Sequence, residues 1–177
     1  MNFKTRLAVN VLNSGGVVSL PTDTIQGLSC LPLNTSLQRL AKLKQRSSKK
    51  GFILISNNIH HFEAYVNDLN LLKKIKLTSA PTTYILTANK NTSKWLLGGH
   101  DTVAIRLTDN PLIKNLCTMT NSALVTTSAN ASGYQVAQNS LKLRVYFKDQ
   151  LDYIIAPVIT ANKPSSIINL HTGERLR

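Results

Sequence analysis

The sequence predicts an α/β fold: a twisted mixed sheet with flanking helices. Short apolar runs of strand length interleave with runs of helical period along all 177 residues. Neither an internal repeat nor a low-complexity linker interrupts that alternation. The length suits one domain with a full core and is short for two, so residues 1–177 are expected to form a single domain.

Taken in order, Phe3, Leu7 and Val11 lie four apart and predict a helix over 3–13. Gly15-Gly16 ends it and Val17–Leu20 is the first strand, stopped at Pro21 because proline has no amide hydrogen for a ladder. Thr22, Asp23 and Thr24 then form a polar loop closed by Gly27. Asn34-Thr35-Ser36 offers an N-cap for a helix carrying Leu37, Leu40, Ala41 and Leu43. That helix runs into Lys42, Lys44, Arg46, Lys49 and Lys50, and Phe52–Ile55 is the next strand. One or two short helices are expected over 62–75, with Leu69, Leu72 and Ile75 inward. Ala80-Pro81 breaks the chain, Thr82–Thr87 is β-branched and strand-like, and Gly98-Gly99 is a flexible joint. Val103–Leu107 is a strand. Asn110-Pro111 opens a helix with Leu112, Ile113, Leu116 and Cys117 inward. Ala123–Thr126 is a buried strand, 141–147 is ambiguous, and Tyr153–Ile155 and Ser166–Leu170 are the last strands.

Composition narrows the function. Twenty-one Lys and Arg against 8 Asp and Glu leave a net charge of +13, which points to a polyanionic partner or a phosphate-bearing ligand. Two cysteines without paired spacing argue against a zinc site and a disulfide framework. No stretch has the apolar length of a membrane span, and the N-terminal run is broken by Asn10 and Asn13, so no membrane association and a cytoplasmic location are expected. There is no Gly-x-x-x-x-Gly-Lys-Ser/Thr loop, no Gly-x-Ser-x-Gly elbow and no carboxylate pair at catalytic spacing. Any catalysis would therefore rest on positioning and charge neutralisation more than on a strong general base.

Four strands end in small hydroxyl residues or arginine: at Pro21-Thr22-Asp23-Thr24, Pro81-Thr82-Thr83, Thr102 to Arg106, and Thr126-Thr127-Ser128-Ala129-Asn130. Such groups at strand ends hold a small polar ligand by directed hydrogen bonds. Lys44, Arg46 and Lys50 add cations suited to phosphate, although a helix end also favours cations through its dipole.

Together these stretches resemble the YrdC-like threonylcarbamoyl-AMP synthases, in their short single-domain bacterial form. The resemblance rests on Leu20-Pro21-Thr22-Asp23-Thr24-Ile25-Gln26-Gly27-Leu28, on Leu43-Lys44-Gln45-Arg46 with Lys50-Gly51-Phe52-Ile53-Leu54-Ile55, and on Ala80 to Leu86. It continues through Val103 to Pro111, Leu124 to Gly133 and Pro164 to Leu170. It implies a fold with a concave basic face and an activity that joins L-threonine, bicarbonate and ATP into threonylcarbamoyl-adenylate with release of pyrophosphate. Mg2+ would accompany the ATP. The product would serve an adenosine beside the anticodon of certain tRNAs, with tRNA on the basic face and a threonylcarbamoyl-transferase complex as partner. By motif, Lys44 and Arg46 are the implied catalytic pair. With Lys50 they would meet the phosphates, and Thr102, Ser128 and Asn130 would line the nucleotide side. Thr22, Thr24, Arg106 and Thr126 would hold threonine, with Ser165 or Ser166 closing the site. Asp23 has two roles open to it, a metal contact or a turn. Gln26 stands where the family usually has an aromatic residue, implying a more polar wall. Ala80 replaces a glycine, and Ile55 stands where some members carry histidine.

Two other readings remain: a non-catalytic module for tRNA or double-stranded RNA, and a carbamoyl-transfer module. The charge suits the RNA reading too, but Lys44-x-Arg46 with Ser128-x-Asn130 favours the synthase, and aromatics for base stacking are only scattered. The carbamoyl-transfer reading lacks the extra parts expected of that assembly.

Overall fold

The structure is a computed structural model that describes residues 3–45, 50–157 and 163–177. Its centre is one eight-stranded mixed sheet in the order β7-β1-β2-β6-β3-β5-β4-β8. In chain order these are β1 (Val18–Pro21), β2 (Gln26–Cys30), β3 (Ile53–Ser56), β4 (Thr82–Thr87), β5 (Thr102–Leu107), β6 (Leu124–Ser128), β7 (Tyr153–Ile154) and β8 (Ser166–Asn169). The helices are α1 (Phe3–Asn13), α2 (Asn34–Leu43), α3 (Leu69–Leu72), α4 (Lys94–Leu97), α5 (Pro111–Thr120) and α6 (Ser140–Phe147), with a 3-10 helix over Ile59–Tyr65. The mixed character is explicit. β3–β5, β1–β7 and β4–β8 are parallel, whereas β1–β2, β2–β6, β3–β6 and β4–β5 are antiparallel.

Alternation along the strands feeds two cores. Val18, Leu20, Ile55 and Leu124 point to one face and pack with Ala8, Val9 and Leu12 of α1 and Ile113, Leu116 and Cys117 of α5. Leu28, Cys30, Leu54, Ile105 and Val125 point to the other, against Leu37 and Leu40 of α2, Phe62, Leu72, Leu96 and Leu143. Near β3 and β6 the α1–α5 layer covers only part of its face, and the rest is left to polar groups.

Several sequence expectations need correcting. Helix α1 buries Thr5, Ala8, Val9 and Leu12, while Phe3 is exposed and Leu7 and Val11 only half-buried. The four-residue spacing traced a real helix but the wrong stripe. Leu69 is exposed and Leu71 turns inward in its place, while Leu72 and Ile75 are buried as expected. Asn34 does not cap α2: Leu33 holds the cap position without a side-chain bond, and Ser36 Oγ donates to Gly15 O at 3.0 Å. By contrast Asn110 caps α5, accepting from the amides of Leu112 and Ile113. The ambiguous stretch is helix α6, capped by Asn139. Strand β2 and helix α4 were not foreseen. Gln-Gly-Leu-Ser-Cys has no β-branched residue and no clean alternation, and it is a strand because β1 and β6 pair with it on both sides. Gly98 is no flexible joint. It ends α4 at φ 64°, and a Cβ there would stand 2.0 Å from Gly51 N, so glycine allows α4 to rest on the segment entering β3.

Candidate active site

The β1–β2 hairpin turns over Thr22–Ile25, and its tightness comes from Thr22. The Thr22 hydroxyl donates to Ile25 O at 2.7 Å and accepts from the amides of Thr24 and Ile25 at 3.2 and 3.3 Å. The stretch is thus a turn and a wall together. Strand β1 runs through Pro21, which pairs with Gln26 as the last residue of the ladder. Beyond the turn, Gly27 faces Thr126 across the β2–β6 pair. A Cβ on Gly27 would lie 2.8 Å from Thr126 Oγ1 and 3.2 Å from Thr22 Cγ2, so glycine leaves those two side chains room to reach the cleft.

The cleft holds about 300 Å³, at the lower end of small-molecule sites. The β1–β2 turn supplies Thr22, Thr24 and Ile25, and the strands supply Gly27, Ile53, Arg106 and Thr126 to Ser128. Val136, Pro164, Ser165 and Arg177 close it. A larger groove of about 630 Å³ lies elsewhere, around Asn34, Tyr65, Asn89 and Asn91, but no charged side chain lines it.

Arg106 is the electrostatic centre. It projects from β5 opposite Ile55 of β3 and is 3 % exposed. Its Nη1 donates to Thr24 Oγ1 at 3.2 Å, and its Nη2 lies 3.2 Å from Asp23 Oδ1. That pair is close enough for charge attraction, while Asp23 Oδ1 makes no hydrogen bond of proper geometry among the described residues. Arg106 Nε is buried and likewise lacks a partner among them. Burial pulls the guanidinium below its usual pKa, Asp23 opposes this, and the Arg177 cation adds to it. An arginine remains protonated at neutral pH even so. The cleft therefore presents a buried cation whose five N–H donors are only partly engaged among the described residues, beside threonine hydroxyls.

Of the remaining residues expected to hold threonine, Thr126 accepts from Ser29 Oγ at 3.1 Å. Thr24 and Thr22 share a hydrogen bond of 3.0 Å. Ser165, not Ser166, faces the cleft. It is buried, shares a 2.8 Å hydrogen bond with Thr83, and its carbonyl accepts from Arg177 Nε and Nη2 at 3.1 and 2.9 Å. On the nucleotide side, Lys44, Ser128 and Asn130 come together. Lys44 Nζ donates to Ser128 O and Asn130 Oδ1 at 2.8 Å each and also to Asn130 O. Ser128 reaches the cleft itself, whereas Lys44 and Asn130 sit behind it. Lys50 is exposed on the segment that α4 supports. Arg46 lies outside the described residues. Thr102 is not brought to the cleft. It opens β5 opposite Thr87, about 13 Å along the strand from Arg106 at the usual rise.

Three further expectations change. Gln26 lines no part of the cleft. It is 6 % exposed on the other sheet face, where Nε2 donates to Ser19 Oγ and Ile155 O at 2.9 and 3.0 Å. Ile55 is a core residue under α5. Asp23 faces Arg106, and the described residues contain no cluster of three metal-ligating side chains. Sequence reasoning missed Val136 and, more consequentially, the charged lining residue Arg177. One basic residue among 21 carries no distinguishing signal; it reaches the cleft because the chain folds back along β8, with Leu176 N donating to Ile167 O at 2.8 Å. No helix among the described residues is long and apolar enough to cross a membrane.

The Sua5/YciO/YrdC family, described as telomere recombination, matches residues 10–177. The threonylcarbamoyl-AMP synthase of Nitrosococcus oceani is 39% identical over 182 residues, covering 99% of this chain and 98% of that protein. That of Pseudomonas aeruginosa is 35% identical over 181 residues, 99% of this chain and 97% of its own. Among solved structures, P. abyssi Sua5 complexed with L-threonine superposes with a TM-score of 0.83 at 22% identity, over 94% of this chain and 51% of that longer one.

Proposed function

The chain belongs to the Sua5/YciO/YrdC family, and on that premise we propose that it is a threonylcarbamoyl-AMP synthase. It condenses L-threonine, bicarbonate and ATP to threonylcarbamoyl-adenylate and pyrophosphate. The observation that carries this reading is the buried Arg106 guanidinium on the cleft wall, set among Thr24, Thr126 and Ser165. A buried guanidinium with open donor capacity suits the carboxylate of a small amino acid, and hydroxyls beside it suit the amine and hydroxyl of threonine. A related fold has been solved with L-threonine, which supports the same assignment.

In this mechanism Arg106 fixes the carboxylate and Thr22, Thr24, Thr126 and Ser165 orient the amine and side chain. The amine adds to bicarbonate, giving the carbamate with loss of water. A carbamate oxygen then attacks the α-phosphorus of ATP, forming the new P–O bond while the bond to the pyrophosphate oxygen breaks. Ser128 and Asn130 belong to the nucleotide side, with Thr102 farther out along β5, and Arg46 and Lys50 supply the positive charge for the phosphates. Arg177, on the cleft wall, adds to that charge. Asp23 is engaged with Arg106, so the chain fits a Mg2+ that arrives on the phosphates of ATP rather than in a cage of its own. When bound, that ion neutralises phosphate charge. The adenylate then passes to a transferase complex acting on tRNA, which the basic surface of the chain would attract.

The test is to incubate the purified chain with labelled bicarbonate, threonine and ATP-magnesium. Threonine-dependent pyrophosphate release and a labelled adenylate are expected. Their absence, with binding of RNA intact, would replace the synthase reading by that of an RNA-binding module.

A further inference from the structure

Lys44 has its surroundings arranged for a purpose other than contact with a ligand. Lys44 is 5 % exposed, and among the described residues its ammonium meets three acceptors: Ser128 O at 2.8 Å, Asn130 Oδ1 at 2.8 Å, and Asn130 O. Three is the full donor complement of a lysine. The backbone holds it there firmly. Lys44 is the C-cap of α2, its amide donating to Leu40 O at 3.0 Å, and Gln45 then turns the chain away at φ 46°. A cation at that helix end is also favoured by the helix dipole.

The acceptors on Asn130 are equally committed. Its Nδ2 donates to Ala131 O and Tyr134 O at 3.0 and 2.8 Å, so the amide has one orientation, with Oδ1 toward Lys44. Asn130 Oδ1 also accepts from Ser128 Oγ at 2.6 Å. The sequence of contacts runs from ammonium to amide oxygen to hydroxyl, and the hydroxyl belongs to the residue on the cleft wall. Remove the ammonium and Ser128 O, Asn130 O and Asn130 Oδ1 lose the donor they share, which loosens the Ser128 hydroxyl and the turn that follows β6.

Building on the synthase reading, we propose that Lys44 is a positioning residue: it sets Ser128 and Asn130 from behind and acts on the nucleotide through them, without touching its phosphates. Direct phosphate contact is then left to cations nearer the cleft.

A double-mutant cycle on the full chain tests this, with Lys44→Met, Asn130→Ala and the pair, measuring affinity for ATP, AMP and adenosine by calorimetry and stability by thermal melting. Lys44→Met is expected to weaken all three ligands by a common factor of about tenfold or more, the worth of a charged hydrogen bond. Adding it to Asn130→Ala should cost less than it does in the wild-type chain, because one of the three acceptors is already gone. Lys44→Gln, which keeps donors without the charge, should recover most of the adenosine affinity, and it carries the test should Lys44→Met not fold. A loss that grows from adenosine to ATP, full additivity with Asn130→Ala, or no recovery in Lys44→Gln would overturn the proposal. A wild-type chain that binds no nucleotide would sink the synthase reading itself, and this inference with it.

Discussion

At the scale of single residues, the chemistry is concentrated in one guanidinium. Arg106 spends Nη1 on Thr24 and Nη2 on the charge of Asp23, and keeps Nε in reserve. Lysine in its place would retain a charge but lose the planar fork, so Arg106→Lys is not a conservative change. Truncating a buried, hydrogen-bonded charge costs about 2–5 kcal/mol. We therefore expect Arg106→Lys to lower kcat/KM for threonine by about two orders of magnitude. ATP affinity, measured by calorimetry in the absence of threonine, should stay within about threefold. An equal loss for both ligands would mean that Arg106 serves the fold and not the amino acid. Asp23 shows how residue type and role separate: the sequence leaves it open between a metal contact and a turn, and its neighbour in space is a cation from β5.

At the scale of elements, the close approach of α4 to the entry of β3 matters most. A Cβ at Gly98 would collide with Gly51 N and with Lys50 C, at 2.0 and 2.2 Å, and Gly98 is left-handed as well. The backbone conformation alone costs a non-glycine residue about 1–2 kcal/mol. Gly98→Ala should thus lower stability by more than that in denaturant titration, and it should disturb Lys50, raising KM for ATP. A variant as stable as wild type would show that α4 gives way freely. Much at this scale was legible from sequence. Apolar runs with β-branched residues gave β4 and β5, and Asn110-Pro111 marked the start of α5. What stayed hidden depended on partners distant in the chain. Gln26–Cys30 has no strand signal of its own, and Arg177 reaches the cleft only through its return along β8. The threonine-side residues were readable because they cluster in short motifs; Thr102 was placed by motif alone and its strand carries it away from the cleft.

For the molecule as a whole, charge sets the response to solution conditions. Arg39 meets both oxygens of Asp152, at 2.7 and 2.8 Å, and Val17 N donates to the same carboxylate at 2.7 Å, joining α2 to the start of β1 and the entry of β7. Burial pushes the Asp152 carboxyl up, but these bonds together hold it below the usual range. The folded pKa is thus below the unfolded value of about 3.9, so the contribution is present above pH ~4 and is lost as pH falls through the folded pKa. Thermal melting from pH 6 down to pH 2 should show this loss, and Asp152→Asn should flatten that part of the profile. An unchanged slope would show that the pair is stability-neutral. The net charge of +13 predicts in turn that tRNA binding weakens steeply with salt, measured by filter retention from 50 to 300 mM, about tenfold or more for a handful of phosphate contacts. Salt-independent binding would leave the excess of Lys and Arg without a nucleic-acid role.

The place of β6 has a consequence in time. It is the one strand that joins the β7-β1-β2 half of the sheet to the β3-β5-β4-β8 half. As the chain leaves the ribosome, β1 and β2 can close as a hairpin at once, but β2 and β3 have no common neighbour until residue 128 has emerged. The cleft straddles that seam, so it is assembled only after most of the protein has been made. Its last wall, at Ser165 and Arg177, arrives later still. Pairings of such separation are slow to form. Early fragments of this protein, released by stalled translation, would carry strands without a site.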